Sequence, residues 1–373
     1  MGKAFIIKKS DLQKNISIIK KLAAENRSGK DKPCQIIAVV KGNGYGLGLI
    51  EYARFLTENG IDFLAVATVD EAVRLRKAGI SVKILMMSST AIEEEVEALV
   101  QNDIIITIGS KEDVNAANKA ALKLNKKVEA HLAMDTGFGR YGFVYVEKEK
   151  MAAALKELKN VEITGAFTHF SLAFFKKDRY SQKQFERFMS CVEFLKNNNI
   201  DVGMLHVCNS SAFFKYKNMR LDAVRIGSAF LGKLAVPNTY GLKPIGQLKS
   251  NVTEIKVLPP KYNVGYSNAF TTKTETRVAV IPCGYADGFN VSVGRDMFRK
   301  RDRLRYIKED IKGYLKKRTI YVEINGIRCK VIGGVGLSHV TCDIRGKNVN
   351  IGDEAIFDVH SFYVKESVKR EYR

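Results

Sequence analysis

The chain has 373 residues and a formal net charge of +21, with 46% hydrophobic and 27% charged residues, an ordinary globular composition. No apolar run approaches the roughly 18 residues of a membrane-spanning helix, and residues 1–11 lack the apolar core of a signal peptide, so we expect a cytoplasmic protein with no membrane partner. The six cysteines form no C-x-x-C pair, which argues against both a metal site of the zinc type and a disulfide framework.

The positive charge is spread along the chain and is not gathered in a nucleic-acid-binding motif. Its densest stretch, residues 295–318, has eleven basic and four acidic residues but no zinc-finger, RNP or basic-zipper pattern. We therefore expect a solvated basic surface, with no nucleic acid as a partner. The positive electrostatic potential of such a surface would also attract a phosphorylated cofactor.

Strands and helices alternate through the first two thirds of the chain, beginning with a predicted helix over residues 10–25. The predicted strands cover residues 35–40, 63–67, 82–86, 104–108, 128–134, 161–168, 204–207 and 223–226. Helical patterns between them cover residues 49–58, 70–78, 93–101, 112–124, 147–158 and 182–197. Eight β-then-α units are typical of a (β/α)8 TIM-type barrel, but a doubly wound open sheet is also consistent, because strand order cannot be read from a sequence.

Beyond about residue 241 the helical periodicity ends, and the pattern predicts a mostly-β domain. Alternating or β-branched segments cover residues 253–258, 276–281, 319–324, 327–332 and 355–359, with turns such as Pro259-Pro260 and Asn325-Gly326 between them. We therefore expect two domains, a barrel over residues 1–238 and a C-terminal β domain over residues 239–373.

The first predicted strand ends at Lys41, and a glycine-rich turn over residues 42–48 leads from it into a helix. A lysine at the end of a buried strand is costly to keep charged, so we expect a lowered pKa or a covalent partner. The glycines allow the backbone to approach a compact ligand, and the following helix favours an anion at its N-terminus. This combination suggests a Schiff base with pyridoxal 5'-phosphate, although a surface lysine in a tight turn is equally consistent with this stretch alone.

Further polar side chains follow the later strands, at the ends where barrel enzymes place their chemistry. They are residues 135–140 after the fifth strand, Thr168-His169 after the sixth, His206 with Asn209-Ser210 after the seventh, and residues 225–228 after the eighth. Ser210, Gly227 and Ser228 are of the type that donates hydrogen bonds to phosphate, which barrels commonly hold after strands seven and eight.

Together these segments resemble the alanine racemase family. The matching segments, in the family's order, are residues 38–48, 135–142, 168–170, 206–211, 224–227, 265–266 and 284–289. Known members pair a barrel with a C-terminal β domain, carry pyridoxal phosphate, and form head-to-tail homodimers in which each active site takes a lysine from one subunit and a tyrosine from the other. The resemblance implies an isomerase that interconverts L- and D-alanine, a small-molecule amino-acid substrate, by a two-base mechanism.

By this resemblance Lys41 and Tyr266 are the catalytic pair, one on each face of the substrate. Racemisation needs such a pair, because a proton leaves one face of the α-carbon and another arrives on the opposite face. The cofactor contacts that the resemblance implies are Lys41, Tyr45, His169, His206, Asn209, Ser210, Arg225, Gly227, Ser228 and Tyr363. The substrate contacts that it implies are Arg140, Leu337 and Ser338.

Four departures from the family pattern concern substrate choice or entry. Ala133 stands where many members have a lysine, which affects the orientation of Arg140, and Leu337-Ser338 aligns with a Met-Asp pair. The C-terminal tail is short, leaving Tyr363 as the candidate for a phosphate contact, and residues 295–318 resemble an insertion. None of the four touches the catalytic pair.

Other functions are also compatible with these residues. A serine or broad-specificity racemase of the same family is the nearest alternative, because a pocket discriminates a single hydroxyl or methylene by only about 1–3 kcal/mol. A decarboxylase on the same general fold is more distant, since it needs no pair of opposed bases. From other classes, the alternatives are a non-catalytic pyridoxal-phosphate-binding protein and a nucleic-acid-binding protein built on an inactive barrel.

Overall fold

The computed structural model describes residues 2–25, 33–175, 178–235, 237–295, 299–315 and 319–373. Its strands are β1 (Ala4–Ile7), β2 (Gln35–Val39), β3 (Phe63–Val66), β4 (Lys83–Met86), β5 (Ile106–Ile108), β6 (Val128–Asp135), β7 (Phe143–Val144), β8 (Val161–Phe167), β9 (Met204–His206), β10 (Ala223–Ile226), β11 (Gln247–Asn251), β12 (Glu254–Leu258), β13 (Asn263–Val264), β14 (Phe270–Thr271), β15 (Thr276–Ile281), β16 (Tyr321–Ile324), β17 (Ile327–Val335), β18 (Val340–Asp343), β19 (Glu354–Phe357) and β20 (Lys369–Tyr372). Its helices are α1 (Lys9–Ala24), α2 (Lys41–Tyr45), α3 (Leu49–Glu58), α4 (Val69–Lys77), α5 (Glu93–Gln101), α6 (Lys111–Leu124), α7 (Lys148–Leu155), α8 (Tyr180–Asn197), α9 (Ser210–Lys215) and α10 (Lys300–Leu315).

The chain divides into two compact units. A barrel unit consists of Lys9–Ile245, and a β unit consists of Met1–Lys8 with Gly246–Arg373. The expected division after residue 238 therefore differs from these units chiefly at the N-terminus, whose first residues lie with the β unit.

Eight strands form the barrel, in the order β4, β3, β2, β10, β9, β8, β6, β5. Neighbouring strands along this order run parallel, and a bridge between Leu85 and Ile105 joins the β4 and β5 ends. The first barrel strand, β2, thus lies beside the last, β10, which a doubly wound sheet does not allow. The predicted (β/α)8 barrel is confirmed, and the carboxyl ends of its strands meet at one rim.

Buried apolar side chains from successive strands fill the barrel interior. They are Ile37, Val39, Phe63, Ala65, Leu85, Ile105 and Ala223. Burying each large apolar side chain contributes about 1.5–3 kcal/mol, so these nearly continuous apolar strands account for the barrel's cohesion.

The β unit contains a nine-stranded sheet, in the order β12, β15, β18, β17, β16, β19, β11, β1, β20, and the separate hairpin β13–β14. The N-terminal strand β1 pairs antiparallel with β11 and parallel with β20. All four residues of β1 are buried apolar side chains, which explains why this short segment lies inside the sheet. The predicted mostly-β domain is confirmed.

The prediction that helical periodicity ends near residue 241 is wrong, because α10 lies beyond that point. Leu304, Ile307, Ile311 and Tyr314 recur at helical spacings of three and four, but the charged residues between them obscured this pattern. Residues 296–298 and 316–318 of the predicted insertion lie outside the described residues.

The turn that follows β2 is left-handed. Gly42, Asn43, Gly44 and Tyr45 have φ angles of 63°, 53°, 63° and 56°. Glycine adopts this conformation without steric cost and asparagine tolerates it, so the Gly-Asn-Gly order matches the backbone that the turn requires. The turn places Lys41 at its start, at the rim of the barrel.

A buried carboxylate from the next β/α unit holds this turn in place. Glu71, in the first turn of α4, is 8% exposed. Its Oε1 accepts hydrogen bonds from the backbone N–H groups of Gly42 at 2.6 Å and Asn43 at 3.4 Å, and its Oε2 accepts one from Ala67 at 3.2 Å. Glu71 therefore fixes the segment after β2 to the segment after β3.

Replacing Glu71 with alanine removes the acceptor of three backbone N–H groups. We predict that Glu71→Ala lowers the free energy of unfolding by about 1–3 kcal/mol, measured by urea denaturation of the cofactor-free chain. Glu71→Gln keeps one carbonyl acceptor and should lose less, and Glu58→Gln, at an exposed position, is the matched control. An unchanged unfolding midpoint for Glu71→Ala would show that the turn is stable without the carboxylate.

Candidate active site

The barrel rim brings together the polar residues that the sequence places at strand ends. Lys41 follows β2, Asp135 ends β6, Thr168-His169 follows β8, His206 ends β9, and Arg225 lies in β10. Because all these strands are parallel, their carboxyl ends face the same way.

Arg225 is a buried cation held by backbone carbonyls. It is 3% exposed, and its Nη1 and Nη2 donate to the carbonyl oxygens of His206 and Thr168, both at 2.7 Å. Among the described residues no carboxylate forms an ion pair with it. Burial lowers the pKa of Arg225 to about 10, so the group stays charged at neutral pH.

Two neutral histidines continue from Arg225 into the barrel. Arg225 Nη1 lies 2.9 Å from His206 Nδ1, and His206 Nε2 lies 2.9 Å from His131 Nδ1. Because a guanidinium only donates, His206 accepts at Nδ1 and donates from Nε2 to His131. Burial, assisted by nearby cations, lowers the pKa of His131 to about 3 and that of His206 well below its ordinary value. This chain fixes the orientation of Arg225.

Lys41 lies in a partly buried and positively charged environment. Burial lowers the pKa of its amine, Arg140 and Arg225 lower it further, and Glu71 acts in the opposite direction. This lowering of the Lys41 pKa is in the direction expected from the sequence. A lowered pKa increases the fraction of the unprotonated amine, which is the nucleophile in Schiff-base chemistry.

The loop that carries Arg140 is organised by Asp135. The two carboxylate oxygens of Asp135 accept hydrogen bonds from four backbone N–H groups, those of Gly137, Phe138, Gly139 and Arg140, at 2.8–3.1 Å. The Arg140 guanidinium then lies over the Phe138 ring, with its Cζ 4.4 Å from the ring centroid. The hydrogen bonds to Asp135 and the contact with the Phe138 ring thus place Arg140 within its own loop.

His169 also contacts the Phe138 ring, in an edge arrangement with ring centroids 5.3 Å apart. Burial and the cations Arg225, Arg140 and Lys41 lower the pKa of His169 to about 3. A small cavity is lined by Ala133, Phe138, Arg140 and His169, among others. Ala133, the smaller side chain noted in the sequence, therefore borders the space beside Arg140 and His169.

Residues after β9 and β10 form a close group of hydrogen-bonding atoms. The Ser210 hydroxyl accepts from the backbone N–H groups of Gly227 at 3.0 Å and Ala229 at 3.4 Å. A Cβ at Gly227 would lie 2.2 Å from the Tyr45 hydroxyl, so any side chain there would displace the Tyr45 ring. Burial raises the pKa of Tyr45 to about 12, which keeps this hydroxyl protonated and able to donate.

These atoms fit a phosphate. The hydroxyl groups of Tyr45 and Ser210, with Ser228 next along the chain, are of the donor types that phosphates accept from. The Gly227 N–H donates to the Ser210 oxygen and so orients that hydroxyl. Asn209 serves a different contact here, because its Oδ1 caps α9 by accepting from the Ala212 N–H at 3.0 Å.

The β unit contains the remaining predicted residues, Tyr266, Leu337, Ser338 and Tyr363. A Cβ at Gly265 would lie 1.9 Å from the Gly333 carbonyl oxygen, so the turn carrying Tyr266 lies directly against β17. The Tyr266 side chain is 87% exposed. The backbone N–H of Ala286 donates to the Leu337 carbonyl at 3.0 Å, which links the 284–289 segment to the loop that carries Leu337-Ser338.

The sequence analysis missed Glu71 and His131. Glu71 was detectable as the fourth residue of a Thr-x-x-Glu pattern, a helix-capping signal in which the glutamate instead reaches a neighbouring segment. His131 was detectable as the one imidazole in the predicted strand over residues 128–134, whose other residues apart from Glu129 are apolar.

The described residues contain no group of three or more His, Cys, Asp or Glu side chains that could hold a metal ion. Among these residues, each helix is too short or too polar to span a bilayer.

Family models match both units. The model of the alanine racemase N-terminal domain matches residues 7–235, and that of the alanine racemase C-terminal domain matches residues 245–366. The chain is 34% identical over 346 residues to the alanine racemase of Methanococcus maripaludis, covering 91% of this chain and 86% of that protein. It is 33% identical over 351 residues to the alanine racemase of Carboxydothermus hydrogenoformans, covering 93% of this chain and 86% of that protein.

Among solved structures, the alanine racemase of Clostridium difficile superimposes with a TM-score of 0.83 at 27% sequence identity, covering 99% of this chain and 88% of that chain. These matches agree with the motif order found in the sequence, and the resemblance inferred there is confirmed. The chain belongs to the alanine racemase family.

Proposed function

We propose that the protein is a pyridoxal-phosphate-dependent racemase that interconverts L- and D-alanine as a cytoplasmic homodimer. One arrangement supports the proposal: a lysine of lowered pKa lies at the barrel rim with a buried arginine, which forms no ion pair among the described residues, and with hydroxyl groups of the type that binds phosphate. The racemase activity of the named relatives supports the same reaction.

The barrel unit would hold the cofactor. Lys41 would bind it covalently, Tyr45, Ser210, Gly227 and Ser228 would contact its phosphate, and Arg225 would face its pyridine nitrogen. When bound, pyridoxal phosphate withdraws electron density from the α-carbon of an amino acid and so acidifies its proton. Arg225 is a charged donor and cannot accept a proton, so it would keep the ring nitrogen unprotonated and moderate that withdrawal.

Lys41 and Tyr266 would move protons on opposite faces of the substrate. The lowered pKa of Lys41 favours an amine that can accept the α-proton at neutral pH. Tyr266 is exposed on the β unit, and its ring is available to the barrel unit of a partner subunit. Arg140 would lower the cost of a nearby tyrosinate through its positive charge, and the neutral His169 would do so by donating an N–H hydrogen bond.

A serine or broad-specificity racemase is the second candidate, and one observation favours it. Ala133 borders the cavity beside Arg140 and His169, at a position where many family members have a lysine. Leu337 and Ser338, the proposed substrate contacts on the β unit, also differ from the Met-Asp pair that the family has at these positions. Specificity changes of this kind amount to about 1–3 kcal/mol.

The proposed catalytic pair predicts different defects for two substitutions. Lys41→Ala should abolish racemisation and covalent cofactor binding together. Tyr266→Phe should keep the covalent cofactor but lose most turnover, because one of the two faces then lacks its acid/base group. The assay is incubation with L-alanine, and separately L-serine, in D2O, with the α-proton signal and the enantiomer ratio followed together.

Tyr262→Phe, at an exposed position of the same unit, is the matched control and should racemise normally. Near-normal activity of Tyr266→Phe would contradict the two-base assignment. Absence of α-proton exchange with either amino acid in the wild-type protein would contradict the racemase itself and favour a non-catalytic cofactor-binding protein.

The contact between Gly227 and Tyr45 predicts the effect of a single methyl group. Gly227→Ala would place that methyl 2.2 Å from the Tyr45 hydroxyl and displace one side of the phosphate site. Overpacking of this kind costs about 1–3 kcal/mol, so we expect the affinity for pyridoxal phosphate to fall by about tenfold in equilibrium dialysis. Gly294→Ala, where a Cβ meets nothing within 4 Å, is the control, and equal affinities of the two variants would contradict the phosphate site.

A further inference from the structure

The helix α10 presents an apolar stripe that nothing in the described chain covers. Leu304, Ile307, Ile311, Tyr314 and Leu315 are 68%, 56%, 56%, 86% and 74% exposed. Their spacing places all five on one face of the helix, within about 100° of arc. Contiguous exposed apolar patches on soluble proteins commonly mark sites that bind a protein or a membrane.

The stripe lies on the side of α10 opposite the one buried residue of this helix. Asp302 is the only buried residue among the side chains of α10, and it lies about 170° around the helix from the middle of the stripe. It pairs with Arg299 and with Arg305, the latter at 3.5 Å. The Tyr306 ring on the same side lies under the guanidinium groups of Arg295 and Arg305, 5.1 and 4.8 Å from its centroid.

Cations border the stripe, and the acidic residues are already neutralised. Arg301, Lys308 and Lys312 follow one edge of it, and no carboxylate in the described part of the chain forms an ion pair with any of the three. Asp310 forms a two-pronged ion pair with Arg295, and Glu309 lies 3.8 Å from Arg305. The face that points outward is therefore apolar at its centre and positive at its edge.

We infer that α10 binds an anionic lipid surface and lies in the plane of the membrane interface. The stripe would enter the boundary between headgroups and acyl chains, and Arg301, Lys308 and Lys312 would contact lipid phosphates and carboxylates. A helix of 16 residues is about 24 Å long and has charged edges, which suits a surface position and not a span. This inference revises the expectation of no membrane partner and does not depend on the proposed racemase activity.

The same charges disfavour two other occupants. If a second copy of α10 packed antiparallel against the stripe, the basic edges of the two helices would face each other and repel. A nucleic acid would use the cations but would leave the five apolar side chains without a partner, since phosphate contacts carry most of such binding. A lipid surface satisfies both parts of the face.

The test is sedimentation of the full-length protein with vesicles of phosphatidylcholine alone and of phosphatidylcholine mixed with phosphatidylserine. We expect binding only to the phosphatidylserine vesicles, weakened by added salt. The double variants Ile307→Ser/Ile311→Ser and Lys308→Glu/Lys312→Glu should each bind about tenfold more weakly or worse. Lys156→Glu/Lys196→Glu, on exposed positions of the barrel unit, is the charge-matched control and should bind normally.

Three results would overturn the inference. The first is no binding to either vesicle, or equal binding by the α10 variants and the control. The second is a smaller oligomer for Ile307→Ser/Ile311→Ser than for the wild type, which would show that the stripe binds a second copy of the chain. The third is binding to duplex RNA that Lys308→Glu/Lys312→Glu removes while vesicle binding is absent. Because all six substituted positions are exposed, circular dichroism and racemase turnover should match the wild type in every variant.

Discussion

The barrel rim is organised around Arg225, a buried charge with which no carboxylate among the described residues forms an ion pair. Removing a guanidinium from water is costly, and here backbone carbonyls and the neutral His206 offset the cost without cancelling the charge. Its field then acts on its neighbours, lowering the pKa values of Lys41, His169 and His131, for which burial is the largest cause. The result is a rim of neutral imidazoles and positive charge, an environment that stabilises an anionic phosphate.

Glu71 balances this field and sets the geometry. It is the carboxylate that raises the pKa of Lys41, while burial and both arginines lower it. The same carboxylate accepts the N–H groups of Gly42 and Asn43, so it fixes the left-handed turn on which Lys41 stands. Turn geometry and the protonation of the lysine are therefore coupled through one side chain, which connects the Gly-Asn-Gly sequence to the reactivity of the amine.

Much of the fold could be predicted because its signals are local. Eight apolar runs followed by helical patterns indicated the barrel, and the polar residues at strand ends located its rim. The position of β1 could not be predicted, because its partners β11 and β20 lie hundreds of residues away and a four-residue apolar run carries no information about them. The helix α10 was missed because charged residues interrupt its apolar spacing. Glu71 and His131 were missed because their roles come from contacts with residues distant in the sequence, Glu71 with the turn after β2 and His131 with His206. The catalytic roles of Lys41 and Tyr266 remain predictions.

The account depends most directly on the protonation of Lys41, which can be measured on the cofactor-free protein. Lysine labelled with 15N at Nζ would be incorporated, the Lys41 signal would be identified by its absence in Lys41→Arg, and its pH titration would be followed by NMR. The account predicts a midpoint below 10.5, the ordinary value for lysine, and below those of the exposed lysines. A Lys41 midpoint at or above 10.5 would mean that burial and the two arginines do not control the amine, and the central claim would be contradicted.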